Sequence, residues 1–160
     1  MYYDLTEYGF EDENTWTEIE NDEDIAEFLE KFVFHDVFIE SIVYESGTRA
    51  LNKNTMGFEA THNMIITFTS CWCGRVEVFF RTVRKFSLQG FYEHIFGNEI
   101  YDYYLKFHID LWGKTRDSKV IVWADSSWFN PKNYCEQIDL QNESITFVIA
   151  DGMKWRFIKD

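Results

Sequence analysis

The spacing of apolar residues changes from about 3.6 to two near Phe34, and that switch divides the chain into a helical front and a β-rich body. Ile25, Phe28, Leu29 and Phe32 fall at i, i+3, i+4 and i+7, which predicts a helix over 22–32 with one apolar stripe. Asn21 can cap its start by accepting from amides two or three residues on. Asp22, Glu23 and Asp24 occupy the first turn, where the helix dipole favours negative charge.

Beyond Phe34 the alternation is that of strands. Val37–Tyr44 reads as one. Met64–Thr69 and Val76–Val83 read as partners in a hairpin turned by Ser70–Gly74, with Met64, Ile66 and Phe68 on one face. Tyr101–Trp112 fits both periods, but six alternating apolar positions and its aromatic content favour strand. Gly113–Ser118 is turn-like, and Lys119–Ala124 follows as a strand. At the end, Ile145–Ala150 and Met153–Ile158 flank Asp151-Gly152, which suits a two-residue type I′ turn. A hairpin there places Val148 opposite Trp155 and Thr146 opposite Phe157. Those four share the core face with Ala150 and Met153, and Lys154 and Arg156 point away. Residues 126–144 lack a pattern; this loop carries Trp128, Phe129 and Pro131, either as a binding element or packed on a sheet edge.

The expected architecture is a single α+β domain over 1–160, mainly antiparallel sheet or a partly open barrel, with one N-terminal helix across it. Residues 1–33 form an acidic arm and helix, and 34–160 the body. Full barrel closure is the alternative. No repeat or linker interrupts the chain.

Charge adds a strong asymmetry. Residues 1–30 hold twelve of the 28 carboxylates and none of the 15 lysines and arginines, so they carry −12 of the net −13. A local field of that sign selects partners by charge. It is at odds with binding phosphate backbones, so no nucleic-acid partner is expected. Residues 1–20 also hold Tyr2, Tyr3, Tyr8, Phe10 and Trp16. Part of this arm is expected to pack on the body as a short strand, with the tip near Glu11–Asn14 exposed. Arg75, Arg81, Arg84 and Lys85 form a basic cluster that can instead neutralise the arm from within.

Candidate chemistry is sparse. Three cysteines, an odd number, do not make a closed disulfide framework. With no export signal, reduced thiols and a cytoplasmic address are the simplest expectation. No apolar run is long enough to cross a membrane. Cys71-Trp72-Cys73-Gly74 with His62 lacks the second pair that structural zinc needs. His35-Asp36 is similar to the metal-binding His-Asp dipeptide of phosphohydrolases, but those place it on a helix and this chain opens a strand with it. More simply, Asp36 bonds backbone at the helix-to-strand corner. There is no Gly-x-Ser-x-Gly and no phosphate-cradling glycine loop. No metal and no cofactor is expected.

The run Phe34-His35-Asp36-Val37-Phe38-Ile39-Glu40-Ser41-Ile42-Val43-Tyr44, with Gly97-Asn98-Glu99-Ile100-Tyr101-Asp102 and the Ala150–Phe157 segment, resembles small bacterial β-rich domains that open on His-Asp. Some of these are thought to be immunity proteins of polymorphic toxin systems. The resemblance implies a compact β-rich cytoplasmic domain, transfers no functional residue, and leaves the acidic arm outside it.

These observations lead to an acidic, non-catalytic protein-binding module, an inhibitor or immunity protein of a basic toxin being one version. Glu11, Asp12, Glu13, Glu18, Glu20, Glu23 and Glu27 would steer a basic protein, and Tyr8, Trp16 and Trp128 would supply packed anchors. The alternative is a small-molecule binder or hydrolase in an aromatic β cavity, with His94, His108 and Asp110 as its polar groups. A third reading pairs an edge strand with a second copy; the sequence leaves the oligomeric state open.

Overall fold

The computed structural model describes residues 15–58, 61–88, 99–109, 111, 119–135 and 145–159. In chain order the elements are β1 (Thr17–Ile19), α1 (Asp22–Lys31), β2 (Val37–Glu45), β3 (Thr48–Asn52), β4 (Thr55–Phe58), β5 (Asn63–Ser70) and β6 (Gly74–Ser87). Then follow β7 (Glu99–Ile100), β8 (Tyr104–His108), β9 (Val120–Ala124), α2 (Pro131–Cys135) and β10 (Phe147–Ile158). Eight strands make one antiparallel sheet in the order β7-β2-β5-β6-β10-β9-β8, with β1 added to β10. The expected α+β class with an N-terminal helix is what forms.

Residues 101–103 join β7 and β8, which lie at opposite ends of that order. Four residue steps span at most about 14 Å, so the sheet must curl to bring its ends together. The result is an open half-barrel: among the described residues β7 and β8 do not pair. Its concave face holds the main core. Helix α1 fills the trough, with Phe28 packed 5.0 Å from Trp155 and 5.7 Å from Phe34 between ring centroids. Met64, Ile66, Phe68, Val76, Val78 and Phe80 line the trough from β5 and β6, all fully buried. The β5–β6 hairpin stands as expected.

A second core lies on the other face of β9 and the first half of β10. Val120, Val122, Ala124, Phe147 and Ile149 pack there under Phe129. Strand β9 is therefore buried on both faces, which is why Val-Ile-Val-Trp-Ala shows no alternation.

The C-terminal hairpin does not form. Residues 147–158 run as one strand along the whole length of β6. Val148 pairs with Phe86 and Trp123, and Trp155 with Val78 and Thr17. Long β6 offers a continuous template, and two contacts hold Asp151-Gly152 straight. Arg84 donates to both Asp151 carboxylate oxygens at 2.7 Å. Gly152 leaves room for the Arg81 guanidinium, since a Cβ there would lie 2.2 Å from its nitrogen.

The expected inward residues still face in: Val148, Ala150, Met153, Trp155 and Phe157 all join the main core. The face changes parity between Ala150 and Met153, and β6 does the same between Phe80 and Val83. Thr82 makes that kink with φ 51°. Its N–H donates to Asn63 Oδ1 (3.3 Å), and Val83 N–H to the His62 carbonyl (2.6 Å).

Three further departures are local. Strand β8 covers only five of the twelve residues expected, and Tyr101 and Ile109 beyond its ends are exposed. Strands β3 and β4 form a separate, exposed ribbon. Short helix α2 occupies part of the patternless 126–144 region.

Candidate functional site

Helix α1 decides where the acidic residues of its segment point. Burying Ile25 and Phe28 leaves Glu23, Glu27 and Glu30 at i, i+4 and i+7 on the outward face. Asn21 Oδ1 accepts from Asp24 N–H at 2.8 Å, and the Asp24 carboxylate accepts from Glu20 N–H at 2.8 Å. This reciprocal cap fixes the helix start and turns Glu20 and Asp22 to solvent. Glu27 pairs with Lys31 at 2.5 Å. The Lys119 ammonium donates to the Glu20 backbone carbonyl, and among the described residues no cation lies within ion-pair distance of the Asp22, Glu23 or Glu30 carboxylates.

The convex face of β6 and β10 is arranged differently. Arg75 grips Glu40 through two bonds of 2.9 and 2.6 Å. Arg156 reaches Glu77 at 2.7 Å through Nε and again through the terminal nitrogen. Arg84 holds Asp151. Arg81 reaches Glu18 at 3.5 Å, the one described carboxylate of the acidic segment that the basic cluster meets. Arg75 and Arg84 of that cluster are thus paired within the body, and among the described residues none of its members meets a carboxylate of the helix.

The expected anchors fall in two settings. Trp16 is half-buried on its own sheet: the Arg156 guanidinium lies 4.4 Å and the Lys154 ammonium 5.0 Å from its ring, with Phe79 edge-on at 5.9 Å. Strand β1 places it there, because Thr17–Ile19 pairs with Met153–Trp155. Trp128 is 90% exposed. A tight turn, with Phe129 N–H on the Ser126 carbonyl (3.2 Å) and Trp128 N–H on Ser126 Oγ (3.3 Å), buries Phe129 and ejects its neighbour. Ser127 N–H to Asp102 (3.1 Å) ties the turn to the link between β7 and β8. Glu18, Glu20, Glu23 and Glu27 are exposed. Tyr8, Glu11, Asp12 and Glu13 lie outside the described residues, as do His94 and Asp110.

Other candidates separate in space. Cys71 and Cys73 are free thiols in the β5–β6 turn. His62 precedes the opposite end of β5, roughly 30 Å away at the usual strand rise, so it does not join them in a metal site. Among the described residues no three metal-type ligands converge. His35 Nδ1 sits 3.0 Å from Asp36 at the corner before β2, His35 exposed and Asp36 half-buried, with Asp36 at φ 55°.

Two tyrosine–histidine pairs escape sequence reading, because each depends on which side chains share a face. Tyr44 Oη lies 2.8 Å from His62 Nδ1, and Tyr104 Oη 2.6 Å from His108 Nε2. Burial pushes the Asp125 carboxyl up to about 6, opposed by the Thr146 backbone N–H it accepts at 3.0 Å.

Among the described residues no helix is long and apolar enough to cross a membrane. Compared with known proteins, the chain matches no family model, no curated protein and no solved structure.

Proposed function

We propose that this chain is a non-catalytic binding module whose acidic end docks a basic protein. One observation carries the reading: Asp22, Glu23 and Glu30 are exposed with no cation at their carboxylates among the described residues, whereas Arg75, Arg84 and Arg156 each hold a carboxylate at 2.6–2.9 Å. Charges without partners project a field; paired charges largely cancel theirs. That field raises encounter rates with cationic surfaces and rejects anionic ones such as nucleic-acid backbones. Trp128, the most exposed aromatic among the described residues, is free to enter a partner's pocket, and Trp16 serves to moor the acidic segment to the sheet.

An inhibitor or immunity protein of a cationic toxin is a concrete version of this reading, set in the reducing cytoplasm that suits free Cys71 and Cys73. The test is affinity capture with the full chain as bait, beside a bait carrying Glu20→Gln, Glu23→Gln, Glu27→Gln and Glu30→Gln. A basic protein held by the first and lost from the second supports the proposal. No basic protein on either bait, or equal capture by both, refutes it.

A further inference from the structure

Strand β8 carries a second site of opposite sign, independent of the acidic end. Alternation puts Tyr104, Lys106 and His108 on one face, since Leu105 between them is buried in the main core. The Tyr104 and His108 rings stack 5.9 Å apart at 16°, joined by the 2.6 Å contact of Oη with Nε2. The Lys106 ammonium sits 5.3 Å from the Tyr104 ring centroid.

Helix α2 brings up another lysine. Phe129 packs 5.8 Å from Tyr104 and 4.9 Å from Phe147, Pro131 is buried, and Lys132 N–H bonds Asn130 Oδ1 at 3.2 Å. This sets Lys132 three residues past Phe129, at the start of the helix whose leading loop packs on Tyr104. Burial first, then Lys106 and Lys132, hold the His108 imidazole below its usual range. Burial also raises the Tyr104 hydroxyl. In the tautomer where Tyr104 donates to Nε2, the neutral imidazole carries its proton on Nδ1 and offers it as a donor.

Neither Lys106 nor Lys132 has a carboxylate partner among the described residues. Lys106 over the Tyr104 ring and Lys132 on the adjoining helix both depress the basicity of the half-buried histidine. An oxyanion reverses both effects at once. A phosphate dianion fits best, because its charge matches two lysines and its several oxygens accept from both ammonium groups and an imidazole N–H together. We propose that Lys106, His108 and Lys132 bind a phosphate group, as free phosphate or as a phosphate monoester, with Tyr104 as a positioning residue for the imidazole.

The test follows the His108 ring by NMR across pH in the full chain, with inorganic phosphate, phenyl phosphate or acetate added at constant ionic strength. Saturable binding of phosphate should raise the His108 midpoint by about one pH unit or more, a tenfold change in its proton affinity. Lys106→Ala and Lys132→Ala should each weaken phosphate about tenfold, and Lys106→Arg should retain most of it. Tyr104→Phe should shift the midpoint of the free protein and weaken phosphate by about threefold or more, because the imidazole loses the contact that orients it. Tighter phenyl phosphate assigns the ligand to the monoesters, and tighter inorganic phosphate to the free ion. A His108 midpoint unmoved by phosphate overturns the proposal. So does an equal shift with acetate, or unaltered binding in the Lys106→Ala/Lys132→Ala double variant.

Discussion

The outward face of α1 and the convex face of β6 and β10 use much the same residue types and reach opposite states. On the sheet, Glu40, Glu77 and Asp151 each meet an arginine, Glu77 and Asp151 from the neighbouring strand and Glu40 from β6 across the intervening β5. On the helix, Glu23 and Glu30 meet none among the described residues. The difference arises from geometry. A sheet sets side chains of separate strands side by side every 4.7–4.9 Å, so opposite charges find each other across the register. An outward helix face has only its own i+3 and i+4 neighbours, and here those are mostly further carboxylates. The lesson is that charge count does not measure a field; pairing does.

The contrast can be broken from either side. The largest effect is expected from Phe28→Ala, which removes a fully buried ring from between Trp155, Phe32 and Phe34. Chemical denaturation should show a loss of about 3–5 kcal/mol, and the acidic face should lose its position along with the helix.

Glu77→Gln comes next. It leaves Arg156 without its carboxylate on a half-buried face, and the same denaturation experiment should read a loss of about 1–2 kcal/mol. Basic-partner binding should be unchanged, because Glu77 contributes little field once paired.

Asp125 is a carboxylate without a cation, but an inward one. Its pKa in the fold, about 6, lies above the ordinary 3.8, so its contribution to stability is complete below about pH 4 and is lost as pH rises through 6. Asp125→Asn should therefore stabilise the protein at pH 7–8 by about 1 kcal/mol, after discounting for partial exposure, with no gain below pH 4. Equal gains at both pH values would refute that account.

The smallest effect on stability is expected where the effect on binding is greatest. Neutralising Glu23 and Glu30 to Gln relieves like-charge crowding and should leave stability unchanged or raised by a few tenths of a kcal/mol. Measurable destabilisation would mean that these residues are structural.

How much of this was written in the sequence depends on the distance over which each feature is decided. The helix was legible in its apolar stripe, its Asn21 cap and its acidic first turn, because these involve residues within one or two turns. The β5–β6 hairpin was legible for the same reason.

The final strand misled in an informative way. A two-residue turn and a paired kink both shift the inward face by one position, so Val148, Ala150, Met153 and Trp155 carry the same pattern in either case. Only the length of β6, a neighbour far away in the chain, decides between them. The β3–β4 ribbon was missed because β3 is exposed on both faces and shows no alternation. At the acidic end the residues were legible and their pairing was not: Arg156–Glu77 and Arg75–Glu40 depend on strand register. The Tyr104–His108–Lys132 grouping depends on a loop fold that no periodicity announces.

The central claim is that the acidic end is an unpaired field available to another molecule. Its most direct test is the association rate of the captured basic partner as ionic strength rises from about 10 mM to about 150 mM, where the screening length falls from about 30 to about 8 Å. The wild-type rate should fall at least tenfold, and that of the Glu20/Glu23/Glu27/Glu30→Gln variant should start low and change little. A wild-type rate as insensitive to salt as the variant's would contradict the account.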